Sequence, residues 1–491
     1  MSDAPDPIPR RLHPATLVAR WLKSAPQMLA GAAGLLVAVR DRDLAPLLTF
    51  ALGFLLLAAV LAALYWWRFR YTIGPGEIVI EKGLLRRQRR IIPFDRVQDI
   101  AIERKLLARL FGTAAVRIET GGAAKDEGTL DMIALADAEA LRDRVRHGAG
   151  PAGAHAEAAL PEEPVLFAMD LPRLVLSGLF GFSLVFFAVI AGALQQLDQF
   201  GLFNWSDWFT PERADRAAHL ITARLALGLA AMMLALGLVA GVGRAVTRDF
   251  GFTLTRTAAG LRRRRGLFTL SEVVIPIRRA QVALIESGPL ARLFGWHRLS
   301  FQTLGADRKE GGVQVAAPFA RMAEILPVLA AAGFPEPPPR QALHGVPRRA
   351  LVRQSAPALA MAALAAAAAF LVEPWLGLAA LALLAAALIG ILRWRKHGHA
   401  LGERALFVAD GYLKRRMWIV PYEKTQTIRV MRGPVQRALR LSNLLLDTAG
   451  SGALVSPEMH DLDAAEAETM ADALLARFQA ARAGRPPRSS S

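Results

Sequence analysis

The chain has 491 residues, of which 53% are hydrophobic and 21% are charged, with a formal net charge of +18 and no cysteine. This length exceeds a single compact domain, and the hydrophobic share exceeds that of an average soluble protein, which indicates segments in lipid. The absence of cysteine excludes disulfides, thiolate nucleophiles, iron–sulfur clusters and cysteine-based zinc sites.

Six hydrophobic stretches, arranged in three pairs, are predicted to cross a membrane as helices. A bilayer core of about 30 Å needs about 20 apolar residues in a helix. The first stretch is the shortest and is also compatible with a buried helix of a soluble core. The last two are separated only by Glu373 and Pro374, so they must form a tight hairpin. In chain order the stretches are Ser24–Val39, Leu44–Trp67, Arg173–Leu194, Leu220–Val242, Ala356–Val372 and Trp375–Leu392.

Basic residues near the ends of these stretches predict their orientation, because cytoplasmic loops of membrane proteins are enriched in Lys and Arg. The loop 195–218 has more acidic than basic residues and carries Trp205 and Trp208, which are typical of a membrane interface. We therefore expect this loop outside, and the N-terminus and the polar domains in the cytoplasm. Arg40 and Arg42 of the first hairpin are exceptions to this pattern. The flanking basic residues are Arg10, Arg11, Arg20, Lys23, Arg68, Arg70, Arg244, Arg248, Arg393, Arg395 and Lys396.

A polar module follows each hydrophobic pair, and the three modules align without a gap. Nine residues after a shared Gln, copies 1 and 2 contain the same six residues, Leu107–Gly112 and Leu290–Gly295. Copy 3 keeps Arg437 there but has Arg440 in place of the Gly. Landmarks at one fixed spacing indicate an internal repeat. In chain order the landmarks are Pro93, Gln98, Arg109 and Thr120; Pro276, Gln281, Arg292 and Thr303; and Pro421, Gln426, Arg437 and Thr448.

Within a copy the residue pattern is that of short strands followed by one helix. In copy 1 the pattern predicts strands at 77–82, 97–102 and 115–119, with Gly83 in a turn. The Leu-x-Arg-x-x-Gly segment is typical of a helical turn that a glycine closes. We expect C-terminal helices at Asp137–Arg146, Phe319–Ala332 and Asp463–Ala481, with Asp137 and Asp463 as N-caps and Pro318 near a helix start.

This order of strands, landmarks and hydrophobic hairpins resembles bacterial pleckstrin-homology-like (PH-like) domains of the second type. It is similar to integral membrane proteins in which two-helix hairpins alternate with three such domains, and the resemblance covers about residues 25–482. It implies an α-helical membrane protein with six transmembrane helices in three hairpins. It also implies three all-β or α+β PH-like domains, each a bent β-sandwich with a C-terminal helix. Because Arg440 replaces the glycine, we expect a different turn in copy 3.

The alternation predicts the domain boundaries. Segments rich in Ala, Gly and Pro are typical of linkers, and the Pro-rich one is expected to be a semi-rigid spacer. The segments are an N-terminal hairpin at 1–70, PH-like domain 1 at 71–148, a linker at 149–164, hairpin 2 at 165–245, PH-like domain 2 at 246–334, a Pro-rich linker at 335–350, hairpin 3 at 351–394, PH-like domain 3 at 395–482 and a disordered tail at 483–491.

Each copy carries a run of basic residues beside a predicted turn. A basic residue near an anionic membrane surface contributes about 1 kcal/mol. Three interpretations stay open: topology determinants on a solvated face, nonspecific contact with anionic lipid, and a specific headgroup site. Nucleic acid is not expected, because no reader motif is present. The candidate residues are Arg86, Arg87, Arg89, Arg90, Arg262, Arg263, Arg264, Arg265, Lys414, Arg415 and Arg416.

Catalytic motifs are absent from the sequence. The landmark Pro, Gln and Arg residues are interpreted as structural, and His397 and His399 as a solvated pair at the membrane interface. No catalytic residue, metal or cofactor is predicted. A membrane enzyme without a known motif would need ionisable residues that converge at one interface.

The leading hypothesis is a non-enzymatic scaffold of the bacterial inner membrane whose cytoplasmic PH-like domains contact anionic lipid or a partner membrane protein. The resemblance implies a smaller membrane protein with the same domain as that partner. Some members of the family are linked to resistance to antimicrobial peptides. The alternative is therefore an export or resistance factor in which the helices form a path. The sequence predicts no oligomeric state.

Overall fold

The computed structural model describes residues 9–19, 21, 45–83, 87–120, 128–148, 164–181, 223–303, 312–371, 376–448 and 457–483. The chain divides into two compact units. The first consists of Met1–Pro161, Met169–Phe252 and Arg264–Val273, and the second of Glu162–Ala168, Thr253–Arg263 and Val274–Ser491.

The first sheet of copy 1 is antiparallel and follows a hydrophobic helix. In this sheet the strand order is the same as the chain order, and Tyr71 lies opposite both Arg10 and Ile80. Gly83, with a φ of 113°, ends the third strand in a conformation that side chains other than glycine rarely adopt. In chain order the elements are β1 (Arg10–Arg11), α1 (Ala45–Arg68), β2 (Arg70–Ile73), β3 (Glu77–Lys82) and β4 (Gln88–Pro93).

A second antiparallel sheet and a helix complete copy 1. Ile78 of the first sheet, Ile118 of the second sheet and Leu141 of the helix belong to one buried cluster. Copy 1 is therefore a β-sandwich that a C-terminal helix closes, as predicted. The added elements are β5 (Val97–Lys105), α2 (Leu106–Leu110), β6 (Thr113–Thr120), β7 (Gly128–Ala134) and α3 (Leu135–Gly148).

The described part of hairpin 2 packs through glycines. It comprises α4 (Leu171–Phe180) and α5 (Ala223–Asp249), which follow the strand β8 (Val165–Ala168). A Cβ atom on Gly178 would lie 2.4 Å from the Cα atom of Val242, which is too close for any larger residue. Small residues at such a crossing let two helix backbones approach closely, as in other membrane helix pairs.

Copy 2 repeats the arrangement of copy 1. Strand β11 pairs with β5 of copy 1 in antiparallel fashion, so the second sheet of copy 1 continues into copy 2. The elements are β9 (Thr253–Thr257), β10 (Gly260–Arg265), β11 (Thr269–Ile275), β12 (Ala280–Ser287), α6 (Pro289–Leu293), β13 (Trp296–Thr303), β14 (Val313–Arg321) and α7 (Met322–Ala331).

Copy 3 follows hairpin 3 and has the same two sheets and a closing helix. Its first sheet joins the second sheet of copy 2 in the strand order β14-β13-β12-β17-β16-β15, and its second sheet has the order β18-β19-β20. The elements are α8 (Arg349–Leu371), α9 (Leu376–Trp394), β15 (Gly398–Leu401), β16 (Ala405–Asp410), β17 (Arg415–Pro421), β18 (Thr425–Met431), α10 (Pro434–Ala438), β19 (Leu441–Thr448), β20 (Glu458–Asp463) and α11 (Ala464–Ala483).

The two junctions between copies share one register. In the first junction Glu272 of β11 lies opposite Ile102 of β5. In the second, Met417 of β17 lies opposite Ile285 of β12. These pairs superpose when the copies are aligned on their Pro and Gln landmarks. The equivalent strands β5 and β12 therefore pair with the next copy in the same register.

In the described residues, three helices are long and apolar enough to cross a membrane: Ala231–Asp249, Arg349–Leu371 and Gly377–Trp394. Shorter apolar helical stretches occur at Leu55–Arg68 and Leu171–Phe180. The first predicted span and most of the third lie outside the described residues. These helices support a location in the membrane, and the arrangement of six spans remains a prediction.

The helix caps differ from the predictions at two positions. Asp463 is a cap, since its Oδ1 atom accepts a hydrogen bond from the Ala465 amide at 3.1 Å. Asp137 is not, because its helix begins at Leu135. Pro318 lies in β14, not near a helix start, because β14 is the outer strand of its sheet, where a residue without an amide proton is tolerated.

The turn after the Leu-x-Arg segment is the same in all three copies. Gly112 and Gly295 have φ values of 63° and 72°, and Arg440 adopts 52°. In each copy the amide of this residue donates to the carbonyl of the landmark Arg. The expectation of a different turn in copy 3 is therefore wrong. Surrounding contacts hold a side-chain-bearing residue in the left-handed conformation.

Arg440→Gly is expected to raise the free energy of unfolding of copy 3 by about 0.5–1 kcal/mol, because glycine adopts this conformation without steric cost. Thermal unfolding of the full chain in detergent measures the change. Gly295→Arg is the matched reverse substitution and should lower the stability of copy 2. Equal midpoints for wild type and both variants would contradict this account.

Candidate anion-binding cavities

Among the described residues, two of the cavities with basic linings lie where the end of a hydrophobic helix meets a PH-like domain. Each is beside the last residues of the second helix of a hairpin and beside a strand with a basic run. We call them the copy-1 cavity and the copy-3 cavity.

The copy-1 cavity has a volume of about 410 Å³. It lies at the end of α1, and Trp67 and Arg68 form part of its wall. Arg89 is mostly exposed and lies 3.6 Å from Glu81, the one acidic residue among the described residues of the wall. Basic residues outnumber acidic ones in this wall. Among the described residues, the lining consists of Trp67, Arg68, Arg70, Glu81, Lys82, Gly83, Arg87, Gln88 and Arg89.

The copy-3 cavity has a volume of about 330 Å³, and five cations line it: Arg292, Arg340, Lys396, Arg415 and Arg416. Arg416 pairs with Glu286, so the other four are the candidates for binding an anion. Lys396 lies two residues after the end of α9, and Arg415 begins β17. Arg340 begins a single helical turn after the run of prolines. Its Nη2 atom lies 3.5 Å from the Lys396 carbonyl oxygen. The Pro-rich segment is itself anchored, because the backbones of His344 and His399 exchange two hydrogen bonds.

The cations of the copy-3 cavity repel one another. Burial and the charges of Arg340 and Arg292 lower the pKa of Arg415 to about 10. The charge of Arg340, followed by burial, lowers the pKa of Lys396. Burial and the charge of Arg292 lower the pKa of Arg340. A bound anion would relieve this repulsion, since an opposite charge favours the charged form of a base.

The acidic residues at the copy-3 cavity do not neutralise it. Asp410 forms a bidentate pair with Arg393, at 2.9 and 2.7 Å, and lies 3.3 Å from His397. Burial would raise the pKa of Asp410, but the hydrogen bonds with His397 and Arg393 outweigh it and hold that pKa well below its usual range. Glu336 is the other acidic residue of the wall, and it is exposed. Positive charge therefore remains on the cavity side.

The other predicted basic residues are placed differently. Lys414 and Arg416 both contact the Glu286 carboxylate, at 2.7 and 3.3 Å, and support the junction between copies 2 and 3. Arg263 is 2% exposed and donates to the Val315 carbonyl. Arg265 pairs with Asp249 at 3.2 Å. Lys414, Arg263 and Arg265 line neither cavity. Arg416 lines the copy-3 cavity, but its pair with Glu286 holds it at the junction.

Arg90, Arg262 and Arg264 line neither cavity. Arg264 is exposed, and Arg262 is half-buried. Arg90 is half-buried on β4. Arg86 lies outside the described residues.

The repeated glutamines differ in their surroundings. Gln281 is 4% exposed, and its Nε2 atom donates to the Arg279 carbonyl at 3.1 Å. Gln426 is exposed on β18, and the side chain of Gln98 is not described. Pro93, Pro276 and Pro421 each precede a single 3₁₀ turn.

The repeated arginines Arg109 and Arg292 make the same contact. Arg109 Nη1 donates to the Leu267 carbonyl, and Arg292 Nη1 donates to the Tyr412 carbonyl, both at 2.9 Å. Each acceptor lies in a hairpin turn of the following copy: Leu267 between β10 and β11, and Tyr412 between β16 and β17. Arg437, the equivalent of both in copy 3, is exposed.

The histidines are not a solvated pair. His397 is 5% exposed and His399 is 2% exposed. The ring of His397 lies 5.9 Å from that of His460, and the His399 Nε2 atom lies 3.6 Å from the Glu466 carboxylate. Among the described residues, no group of side chains could hold a metal ion.

Sequence reasoning missed Arg340 and Lys396. Arg340 ends the proline run and Lys396 lies four residues after the last hydrophobic stretch, and no local pattern connects them. Only the return of the Pro-rich segment to β15 places them in one wall.

A family model described as "Bacterial PH domain" matches residues 18–149, 187–330 and 358–478, which is most of the chain. The chain belongs to the bacterial PH domain family. The three matches agree with the three sandwiches of the structure, and each bacterial PH domain match begins within or near a hydrophobic segment.

The chain is similar to a curated transmembrane protein. It is 24% identical over 443 residues to the UPF0699 transmembrane protein YdbT of Bacillus subtilis (strain 168). The match covers 84% of this chain and 86% of that relative. No solved structure matches the chain. The family match and the structure support repeated bacterial PH domains, and the relative and the apolar helices support a membrane protein.

Proposed function

We propose that the protein is a non-enzymatic scaffold of the bacterial inner membrane whose PH-like domains bind the phosphate groups of anionic lipid headgroups. The observation that carries this proposal is the copy-3 cavity, where Arg292, Arg340, Lys396 and Arg415 converge beside the end of α9. The copy-1 cavity repeats this placement at the end of α1.

The position of the copy-3 cavity favours lipid as the source of the phosphate. Trp394 ends α9, which is long and apolar enough to cross a membrane, and Lys396 follows two residues later. A headgroup at that depth would reach the cavity without leaving the bilayer. Each cation near an anionic surface contributes about 1 kcal/mol, so four converging cations favour an anionic headgroup over a zwitterionic one.

The proposal includes the predicted topology. Six spans in three hairpins would place all three PH-like domains on one side, and the basic residues after the even-numbered spans favour the cytoplasmic side. Reporter fusions after Arg68, Arg248 and Lys396 would test this arrangement.

An export or resistance role would need a polar path between the helices. The close approach of Gly178 to Val242 gives that alternative no support in the described part of hairpin 2.

Lipid retention tests the proposal. The full chain is purified in detergent with mixed phosphatidylglycerol and phosphatidylcholine, and native mass spectrometry counts the lipids that remain bound. Arg340→Gln with Arg415→Gln removes two cavity cations and should weaken phosphatidylglycerol binding about 30-fold. Phosphatidylcholine binding should not change. An added arm with inorganic phosphate shows whether free phosphate displaces the lipid.

The matched control changes two exposed arginines outside the cavities. Arg264→Gln with Arg404→Gln removes the same net charge from residues that do not line either cavity. If both double variants retained phosphatidylglycerol equally, the cavity would not be the binding site. If free phosphate displaced the lipid completely at low concentration, the site would be one for soluble phosphate.

A further inference from the structure

Each internal junction between copies is built from the same two contacts. The first is strand pairing, of β5 with β11 and of β12 with β17, in one shared register. The second is a hydrogen bond from the landmark arginine to a hairpin carbonyl of the next copy, at 2.9 Å in both cases. These acceptors, Leu267 and Tyr412, directly follow the turn glycines Gly266 and Gly411. Each copy thus binds both the outer strand and the turn of the following hairpin.

Copy 3 presents the same two elements, and no further copy pairs with them within the described residues. Strand β18 is the equivalent of β5 and β12, and it forms one edge of the sheet β18-β19-β20. Within the described residues, no strand pairs with its outer side. Arg437 is exposed, and its guanidinium makes no hydrogen bond or ion pair in the part of the chain that the structure describes. We call β18 together with Arg437 the copy-3 docking surface.

Apolar side chains of the copy-3 docking surface are more exposed than their equivalents at the internal junctions. Val430 is 38% exposed, whereas Ile102 and Ile285 at the equivalent positions are 5% and 4% exposed. Met431 beside it is 41% exposed. An edge strand with apolar side chains and unpaired backbone groups is a template for another strand.

We propose that the copy-3 docking surface receives a β-hairpin from another protein. The outer strand of that hairpin pairs with β18 in the register of the internal junctions, and its turn carbonyl accepts a hydrogen bond from Arg437. This surface is separate from the cavities of the proposed function.

The chain's own β4 has the matching geometry. It is the equivalent of β11 and β17, and within the described residues its outer side is also unpaired. Ile91 on β4 is 50% exposed, whereas Val274 and Ile419 at the equivalent positions are 6% and 0% exposed. In the shared register, Ile91 would lie opposite Ile428.

Charge, however, argues against a second copy as the occupant. In that register Arg429 would lie opposite Arg90 within the strands, and Arg432 would meet Arg87 just beyond the strand ends. Like charges directly opposite destabilise a strand pair. Arg429 already pairs with Asp447 at 3.5 Å, and Arg432 pairs with Glu468 at 2.6 Å. Each of these acids would therefore have to neutralise two arginines. The internal junction instead places Glu286 opposite Arg416. The geometry therefore points to a partner strand with acidic residues where β4 has Arg87 and Arg90.

Disulfide crosslinking tests this pairing. Because the chain has no native cysteine, only the introduced thiols can form a disulfide. One full-length chain carries Ile428→Cys. The probe is a second full-length chain with Ile91→Cys, Arg87→Glu and Arg90→Glu, which supplies the acidic strand. Both are mixed in detergent under mild oxidation after circular dichroism has shown that they are folded. We expect a linked dimer on non-reducing gels, and a several-fold lower yield when the first chain also carries Arg437→Ala.

Two controls decide between the outcomes. Thr427→Cys in place of Ile428→Cys moves the thiol to the opposite face of the strand and should abolish the link. Ile91→Cys in a chain that keeps both arginines should link poorly. Equal linking with the native arginines would identify a second copy as the occupant and overturn the assignment to an acidic partner. Equal linking through Thr427→Cys, or no linking at all, would overturn the docking surface itself.

Discussion

Asp461→Ala is expected to lower the free energy of unfolding of copy 3 by about 3–5 kcal/mol, because it leaves buried polar partners without their anion. The Asp461 carboxylate is fully buried on β20 and pairs with Arg353 of α8. It also accepts hydrogen bonds from Gln354 at 2.9 Å and Gln436 at 3.1 Å. Burial would raise the pKa of Asp461, but these hydrogen bonds outweigh it and lower that pKa.

Hydrogen–deuterium exchange of the full chain in detergent measures this effect through the amides of β19 and β20. Asp447→Ala is the matched control, because Asp447 forms a more exposed pair with Arg429 and its loss should lower stability by less than about 1 kcal/mol. Equal protection in the two variants would show that the Asp461 network does not hold copy 3 to hairpin 3.

Acidification is expected to destabilise copy 3 through His399. Burial, followed by the nearby His397 and His344, lowers the pKa of His399 from 6.5 to about 4. As the pH falls below 6.5, the unfolded state takes up the proton first, so stability falls between pH 6.5 and pH 4. The loss should reach roughly 2 kcal/mol at pH 5. The Glu466 carboxylate, 3.6 Å away, is the acidic group that faces the ring.

Unfolding of the full chain at a series of pH values measures this slope. His399→Gln should flatten it, because the side chain no longer takes up a proton on unfolding. His13→Gln changes an exposed histidine of copy 1 and should leave the slope of copy 3 unchanged. Identical slopes for wild type and His399→Gln would refute the assignment.

The sequence predicts the repeated module well, because its landmarks are local. The spacing of Pro93, Gln98 and Arg109 reports a strand, a turn and a second strand that lie within one copy. The hydrophobic stretches similarly predict helices by length alone. The PH-like sandwich and its closing helix follow from these local signals and from the resemblance together.

The contacts between copies could not be predicted, because they join residues that are far apart in the chain. Nothing near Arg109 indicates that it bonds to Leu267, and nothing near Arg340 indicates that Lys396 lies beside it. The same holds for His399. The polar residues near it in the sequence suggest solvent exposure, but tertiary packing buries its side chain. Arg440 shows the reverse case, where the fold imposes a conformation that its residue type disfavours.

The shared register makes the copies interchangeable units. A shortened chain in which copy 1 is followed directly by copy 3 would pair β5 with β17 and place Glu103 opposite Arg416, an attractive combination. Loss or gain of one whole unit would then preserve the joints between neighbours. A protein of this design can change its length in steps of one hairpin and one sandwich without a new interface having to arise.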